Sequence, residues 1–519
     1  MDIRVNLNKP LRILDNKVST VCVWDYREQF QGYGKDNQIH EMNPFVERAQ
    51  FMTATGGNEG RDLFRDPLDR SVTDDYAFDP LLIACQNALR LGVKPFIKTG
   101  SIPLKFSADP LIGKFGVNMH VPQRMEDYYN YLHALCQAMV ERFGMEEVRT
   151  WWWGVFTEME NNEWFQASPN PEIAAKCNAD IYDYSVCAIT DVLGEDVKIG
   201  AHLMMTVTLS EKLNVFPPEA FVRHCGTEKN ARSGKPVKLD YLAYSFYDCT
   251  PHSLCPENFA VVGMKLRGYA EKYGIGNVLI GCDEGRINSG NDCKELSPRT
   301  VGSRYQAAMD ADLIWQMVNF DIGWFSAWSY RSGGLMDGLK SVGSHVAENY
   351  HAMVGMTQVE TDPCPQDFLK LQAWEERINS VACVKANGDV TVMAYHFRPG
   401  DDCCDRNISV RISLSTSKPN GKSKAICRFV DDRCNFFPHW ERDRKAAGLQ
   451  TLGRWSEDSP EVMTQGFHPD QYEQYSHLIP EEMETDVLNG TETLCVTIKT
   501  NSVVFVDFTA TDECKKEKT

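Results

Sequence analysis

Between residues 18 and 355, short apolar runs alternate with stretches whose apolar positions recur at helical spacing, the pattern of βα units around a parallel sheet. The unit at 78–98 is the clearest. Asp79 is suited to an N-cap, Pro80 to the first helical position, and Leu81, Leu82, Cys85 and Leu89 share one face. Gly92 ends that helix and 94–98 reads as the next strand. At 125–157 the same logic returns: Tyr128, Leu132, Leu135, Met139 and Phe143 form a stripe, Gly144 stops it, and an apolar run covers 148–156. Further strands are expected at 18–24, 197–202, 241–247, 278–282 and 322–328, with helical patterns at 256–273 and 300–318. One more strand is needed near 45–60, where the pattern does not define it.

After about residue 360 the period changes to two. Val390, Val392 and Ala394 alternate with polar residues, as do Ile408, Val410, Ile412 and Leu414, then Val496 and Ile498, then Val503 and Phe505. This is the pattern of half-buried antiparallel sheet. Asn387-Gly388 is a hairpin turn signal, and the alternating Ile3, Val5 and Leu7 are expected to join the same sandwich. The fold expected is therefore α/β: a (β/α)8 barrel over 17–358, and an antiparallel β-sandwich built from 359–519 plus a strand from 1–16. A chain of 519 residues has room for both.

Charge narrows the function classes. A net charge of −18 argues against nucleic-acid binding, which needs a basic surface. No apolar stretch has membrane-spanning length, and the first residues lack a secretory pattern, so a cytoplasmic location is expected unless a leader has been removed. The 18 cysteines are scattered through core-like segments and read as reduced structural thiols.

In a (β/α)8 barrel the active site lies at the C-terminal ends of the strands, so carboxylates that end apolar strands draw attention first. Trp151-Trp152-Trp153-Gly154-Val155-Phe156-Thr157 leads into Glu158, and Val278-Leu279-Ile280-Gly281-Cys282-Asp283 leads into Glu284. Two such carboxyls about 5–5.5 Å apart are what a retaining glycosidase needs. Aromatic residues nearby (Trp151, Trp152, Trp153 and Trp164, then Trp324, Trp328 and Tyr330) suit sugar stacking, although about half of them are expected to fill the barrel core. Asp283 beside Glu284 is an alternative nucleophile; on a regular strand the two point to opposite sides, so only one would face the substrate.

These segments resemble glycoside hydrolase family 39, the β-xylosidases and α-L-iduronidases of clan A. The likeness runs from 76–80 through 92–97, through 148–151 up to Glu158, then 240–247, then 280–284. It implies Glu158 as general acid/base, Glu284 as nucleophile, Tyr247 as hydrogen-bond donor to the nucleophile, and Trp328 as floor of the glycone pocket. Thr157, Trp153 and Lys98 complete the expected substrate-binding set. The departures are specific: clan A has Asn where this chain has Thr157, His where it has Ser245, and Trp where it has Gly285. They put the sugar in question more than the mechanism, and β-xyloside is only a default label.

Cys249, His252 and Cys255 carry metal-ligand types at close spacing; a zinc site would need a fourth ligand, for which Cys282 or Cys293 is a candidate, and no metal is assigned. The reading is a retaining exo-glycoside hydrolase that acts on a carbohydrate substrate with no cofactor. A carbohydrate-binding pseudo-enzyme and a transglycosidase are the alternatives, and the oligomeric state is left open, a homo-oligomer included.

Overall fold

The computed structural model describes residues 1–23, 26, 45–205, 214–247, 257–286, 303–327, 339–362, 365–401, 404–448 and 468–510. Eight strands form a closed parallel barrel in chain order: β2 (Thr20–Val23), β3 (Arg48–Phe51), β4 (Lys94–Thr99), β5 (Trp152–Val155), β6 (Lys198–Leu203), β7 (Tyr241–Tyr247), β8 (Leu279–Arg286) and β9 (Phe325–Ala327). β9 pairs back onto β2 and closes the ring. The strand the sequence pattern left undefined is β3. It is four residues long, and its Arg48 and Gln50 interrupt any apolar run.

Helices cover the outside as the periodicity predicts, with small shifts at their ends. The first unit's helix runs Asp79–Arg90 with Phe78 rather than Asp79 at the cap position. In the helix Met125–Phe143, Tyr128, Leu132, Leu135 and Met139 are fully buried. The apolar run at 148–156 is shorter as a strand than expected, because Met145–Val148 forms a helical turn before β5 begins.

Inside the barrel, a bottom layer of rings fills the space. Trp152 stacks on Tyr241 with centroids 5.4 Å apart and meets Trp324 edge-on at 5.0 Å. Gly281 opposite is forced: a Cβ there would lie 2.2 Å from the Trp324 indole. The centre of the barrel is thus a packed core, and the polar groups above it sit on a rigid floor.

The remaining strands are β1 (Asp2–Ile13), β10 (Thr357–Asp362), β11 (Arg377–Val384), β12 (Val390–Phe397), β13 (Asn407–Ser415), β14 (Gly421–Val430), β15 (Glu481–Leu488), β16 (Thr491–Lys499) and β17 (Ser502–Phe508). They form a largely antiparallel, sandwich-like sheet that closes on itself in the order β1-β10-β11-β12-β17-β14-β15-β16-β13. β1 is antiparallel to β10 and parallel to β13. The turn between β11 and β12 places Gly388 at φ 89°, where glycine is at ease. A buried bidentate pair ties this sheet to the barrel: Arg377 grips Asp312, on the helix Arg304–Phe320, at 2.9 and 2.8 Å, and Tyr395 donates to the same carboxylate at 2.7 Å.

Among the described residues no helix is long and apolar enough to cross a membrane. The cysteines among them are free, and most are buried. Cys249, His252, Cys255, Cys293 and Trp328 lie outside the described residues.

Candidate active site

The site is built where β5, β6, β7 and β8 end. β5 stops at Val155, and the chain then turns through two residues in left-handed backbone, Phe156 (φ 65°) and Glu158 (φ 45°). Such conformations are costly for side-chain-bearing residues and persist where the surroundings hold them. Here Phe156 N–H donates to Thr99 O at 2.8 Å, Met159 N–H to His202 O at 3.1 Å, and Asn161 N–H to Glu158 O at 2.8 Å. The turn lifts the Glu158 carboxylate into the barrel mouth.

Both Glu158 oxygens are held. Ser245, on β7, donates to Oε1 at 2.6 Å, and Asn161 donates to Oε2 at 2.8 Å. His202, at the end of β6, stands behind Ser245 with Nε2 2.9 Å from its Oγ. Burial pushes the Glu158 carboxyl up, opposed by Ser245, Asn161 and Trp164. Burial, helped by the Lys98 charge, drives the His202 ring well below its usual value, so it is neutral.

Glu284 faces Glu158 across the mouth. β8 pairs with β7 in register as far as Tyr244↔Cys282, but the next pair is Ser245↔Glu284, so Asp283 is an extra residue, a β-bulge. The bulge defeats the alternation expected for a regular strand. Asp283 points into the barrel, where Lys98 Nζ lies 2.6 Å from Oδ2 and Trp324 Nε1 donates to Oδ1 at 2.8 Å. Glu284 also turns inward, and Tyr247 donates a short hydrogen bond to its Oε1. Its Oε2 is buried with no hydrogen-bond partner. Burial first, and the Glu158 charge second, push the Glu284 carboxyl well above the ordinary range. Two carboxylates this close do not ionise together readily.

One oxygen of Glu158, one of Glu284 and one ring nitrogen of His202 all lie within 4.8 Å of one another, and all three residues are buried. That donor set could also hold a divalent cation.

The structure brings together Glu158, Glu284 and Tyr247; Thr157 precedes Glu158 in the turn, with its hydroxyl buried without a hydrogen-bond partner. Lys98 lies beneath them, fully buried and engaged by Asp283. Trp153 is not brought to the site. Trp152 and Gly154 face inward on β5, so Trp153 packs in the core outside the barrel. Of the other tryptophans, Trp151 is in that outer core, while Trp164 stacks on Phe115 with centroids 4.5 Å apart. His202 and Asn161 are functional candidates that sequence reasoning missed. A histidine at an inward position near the end of an otherwise apolar strand was the available signal for the first; nothing marked the second. At Gly285, where the resemblance leads one to expect Trp, a Cβ would lie 1.9 Å from the Phe246 carbonyl oxygen, so no side chain fits this backbone.

A model of the family described as glycosyl hydrolases family 39 matches residues 62–269, less than half of the chain. That stretch is similar to family 39. No curated protein matches it. Solved structures share the fold. A monomeric β-xylosidase from Caulobacter crescentus CB15 matches with 16% identity and a TM-score of 0.67, over 98% of this chain and 99% of that one. The family 39 enzyme from Xanthomonas axonopodis pv. citri gives 15%, 0.65, 98% and 97%. The bacterial orthologue of human α-L-iduronidase gives 13%, 0.67, 98% and 84%. The family 39 match indicates a glycoside hydrolase; it includes Glu158, His202, Ser245 and Tyr247, and ends before Glu284.

Proposed function

We propose that the protein is a retaining exo-glycoside hydrolase working by double displacement. The observation that carries this reading is the facing pair of buried carboxylates, with an oxygen of Glu158 within 4.8 Å of one of Glu284. Retaining enzymes need this close spacing, whereas inverting enzymes leave room for a water between carboxyls about 6.5–9.5 Å apart. Glu284 attacks the anomeric carbon as Glu158 gives its proton to the departing glycosidic oxygen. The Glu284 ester is then cleaved by a water that Glu158 deprotonates, which returns the proton to Glu158.

The chemistry requires a proton on Glu158. Tyr247 and the Lys98 charge both lower the proton affinity of Glu284, against the larger effects of burial and the Glu158 charge. Ser245 and Asn161 keep Glu158 acidic enough to release it. The glycone is left to experiment, with β-xyloside as the default.

A panel of aryl glycosides followed by proton NMR tests the proposal. The first-formed sugar should have the anomeric configuration of the substrate, and a 2-deoxy-2-fluoro glycosyl fluoride of the preferred sugar should label Glu284. The opposite anomer would overturn retention. Sugar binding without turnover of any glycoside in the panel would point to a carbohydrate-binding protein instead.

A further inference from the structure

We infer that His202 and Ser245 act as a positioning pair for Glu158, with His202 fixing the direction in which the Ser245 hydroxyl donates. This rests on Glu158 being the acid/base.

The direction follows from counting protons. Ser245 Oγ is 2.6 Å from Glu158 Oε1 and 2.9 Å from His202 Nε2. In the base form of Glu158, which the second step uses, the carboxylate only accepts, so the single Ser245 proton goes to it. The Ser245 oxygen must then accept from His202, which places the imidazole proton on Nε2. Nδ1 is left bare, and it is indeed buried without a hydrogen-bond partner. A protonated ring would bury an unsatisfied N–H there, at a desolvation cost. The chain His202→Ser245→Glu158 therefore runs one way only.

The consequence concerns where the working proton sits. With Oε1 committed as an acceptor, the proton of the acid form rests on Oε2, on the side of Asn161. Without His202 the Ser245 hydroxyl is free to rotate and accept from a protonated Oε1, which would hold the proton away from the leaving group and weaken the acid. Titratable groups face this carboxyl from several elements: Glu284 on β8, Tyr247 on β7, and Glu160 and Glu163 in its own loop. Lys98 on β4 acts on His202 and Glu284, and its charge is engaged by Asp283. In family 39 terms, the imidazole absent at Ser245 is supplied from the neighbouring strand through a serine.

The test uses three variants, Ser245→Ala, His202→Ala and His202→Gln, each checked for an unchanged far-UV spectrum and cooperative melting. Substrates are phenyl and 2,4-dinitrophenyl glycosides of whichever sugar the wild type hydrolyses best. In Ser245→Ala and His202→Ala the basic limb of kcat/KM should move up by about one to two pH units, the size of one hydrogen bond to a charged group. Phenyl glycoside turnover should fall about tenfold or more while the dinitrophenyl glycoside, whose leaving group needs no acid, is nearly unaffected. His202→Gln, which keeps an N–H donor, should restore most of the limb. Equal losses on both substrates, or an unmoved limb in Ser245→Ala, would overturn the inference. Glu158→Gln separates this from failure of the wider reading. If that variant hydrolyses phenyl glycosides normally, Glu158 is not the acid/base. If it behaves as an acid/base variant while the limb stays fixed in the other three, only the positioning role falls.

Discussion

The side chains of Asp283 and Glu284, adjacent on β8, both turn into the barrel, and one makes an ion pair while the other faces the Glu158 carboxylate. Asp283 holds Lys98 at 2.6 Å in full burial. Glu284 keeps one oxygen on Tyr247 and the other without a partner. The bulge at Asp283 lets two consecutive carboxylates share one interior.

Glu284→Ala should abolish turnover, by on the order of 10^4-fold or more, as loss of a nucleophile does. The protein should stay folded, because the change removes a charge that burial and Glu158 both disfavour. Activity on the best aryl glycoside and a melting curve check both halves. Near-normal rates would return Asp283 to candidacy.

Asp283→Ala should behave differently, as a stability variant. It strands the Lys98 ammonium in the barrel, and breaking a buried ion pair from one side costs about 3–5 kcal/mol. Urea unfolding should show that loss. Replacing Lys98 by Met as well should recover a large part of it, since no charge is then left unpaired.

Glu160 gives a pH prediction. Its carboxyl is fully buried and pushed from 4.5 up to about 7, chiefly by burial. Between those values the folded protein holds a proton that the unfolded chain has lost, so this group's contribution makes stability fall as pH rises through the window. Glu160→Gln should flatten the decline by up to about 1.4 kcal/mol per pH unit. Urea midpoints at pH 5, 6 and 7 measure it; an unchanged slope would show that Glu160 does not titrate there.

Thr157 occupies the position where clan A places Asn, and its hydroxyl is buried without a partner. On the reading that it serves a glycone presented differently at the 2-position, Thr157→Asn should not improve hydrolysis of the best substrate. Faster cleavage of aryl β-xylosides by that variant, with those also the best wild-type substrates, would reduce Thr157 to a weakened family contact.

Much of this was legible in the chain itself. Short apolar runs set between stretches of helical period locate most barrel strands, because their outward residues must pack under helices. β3 escaped since four residues carrying Arg48 and Gln50 leave no apolar signature. Glu158 and Glu284 were visible as carboxylates ending apolar runs. Their partners were harder: Ser245 and His202 meet only through the sideways pairing of β6 and β7, and Asn161 depends on a left-handed turn. Trp153 was misplaced by one step of the pleat, which sends it to the outer core rather than the mouth.

The position of β1 has a consequence for biosynthesis. Its partners β10 and β13 begin at Thr357 and Asn407, so β1 leaves the ribosome several hundred residues before it can pair. The barrel has all its strands by Ala327 and can form meanwhile, but the second sheet closes only once β17 is made. Closing contacts of such long sequence separation are slow to form, and an unpaired strand is open to intermolecular pairing until then. Nascent chains that expose every residue up to Ala327 but have not reached Thr357 should therefore carry a folded barrel and an unpaired β1.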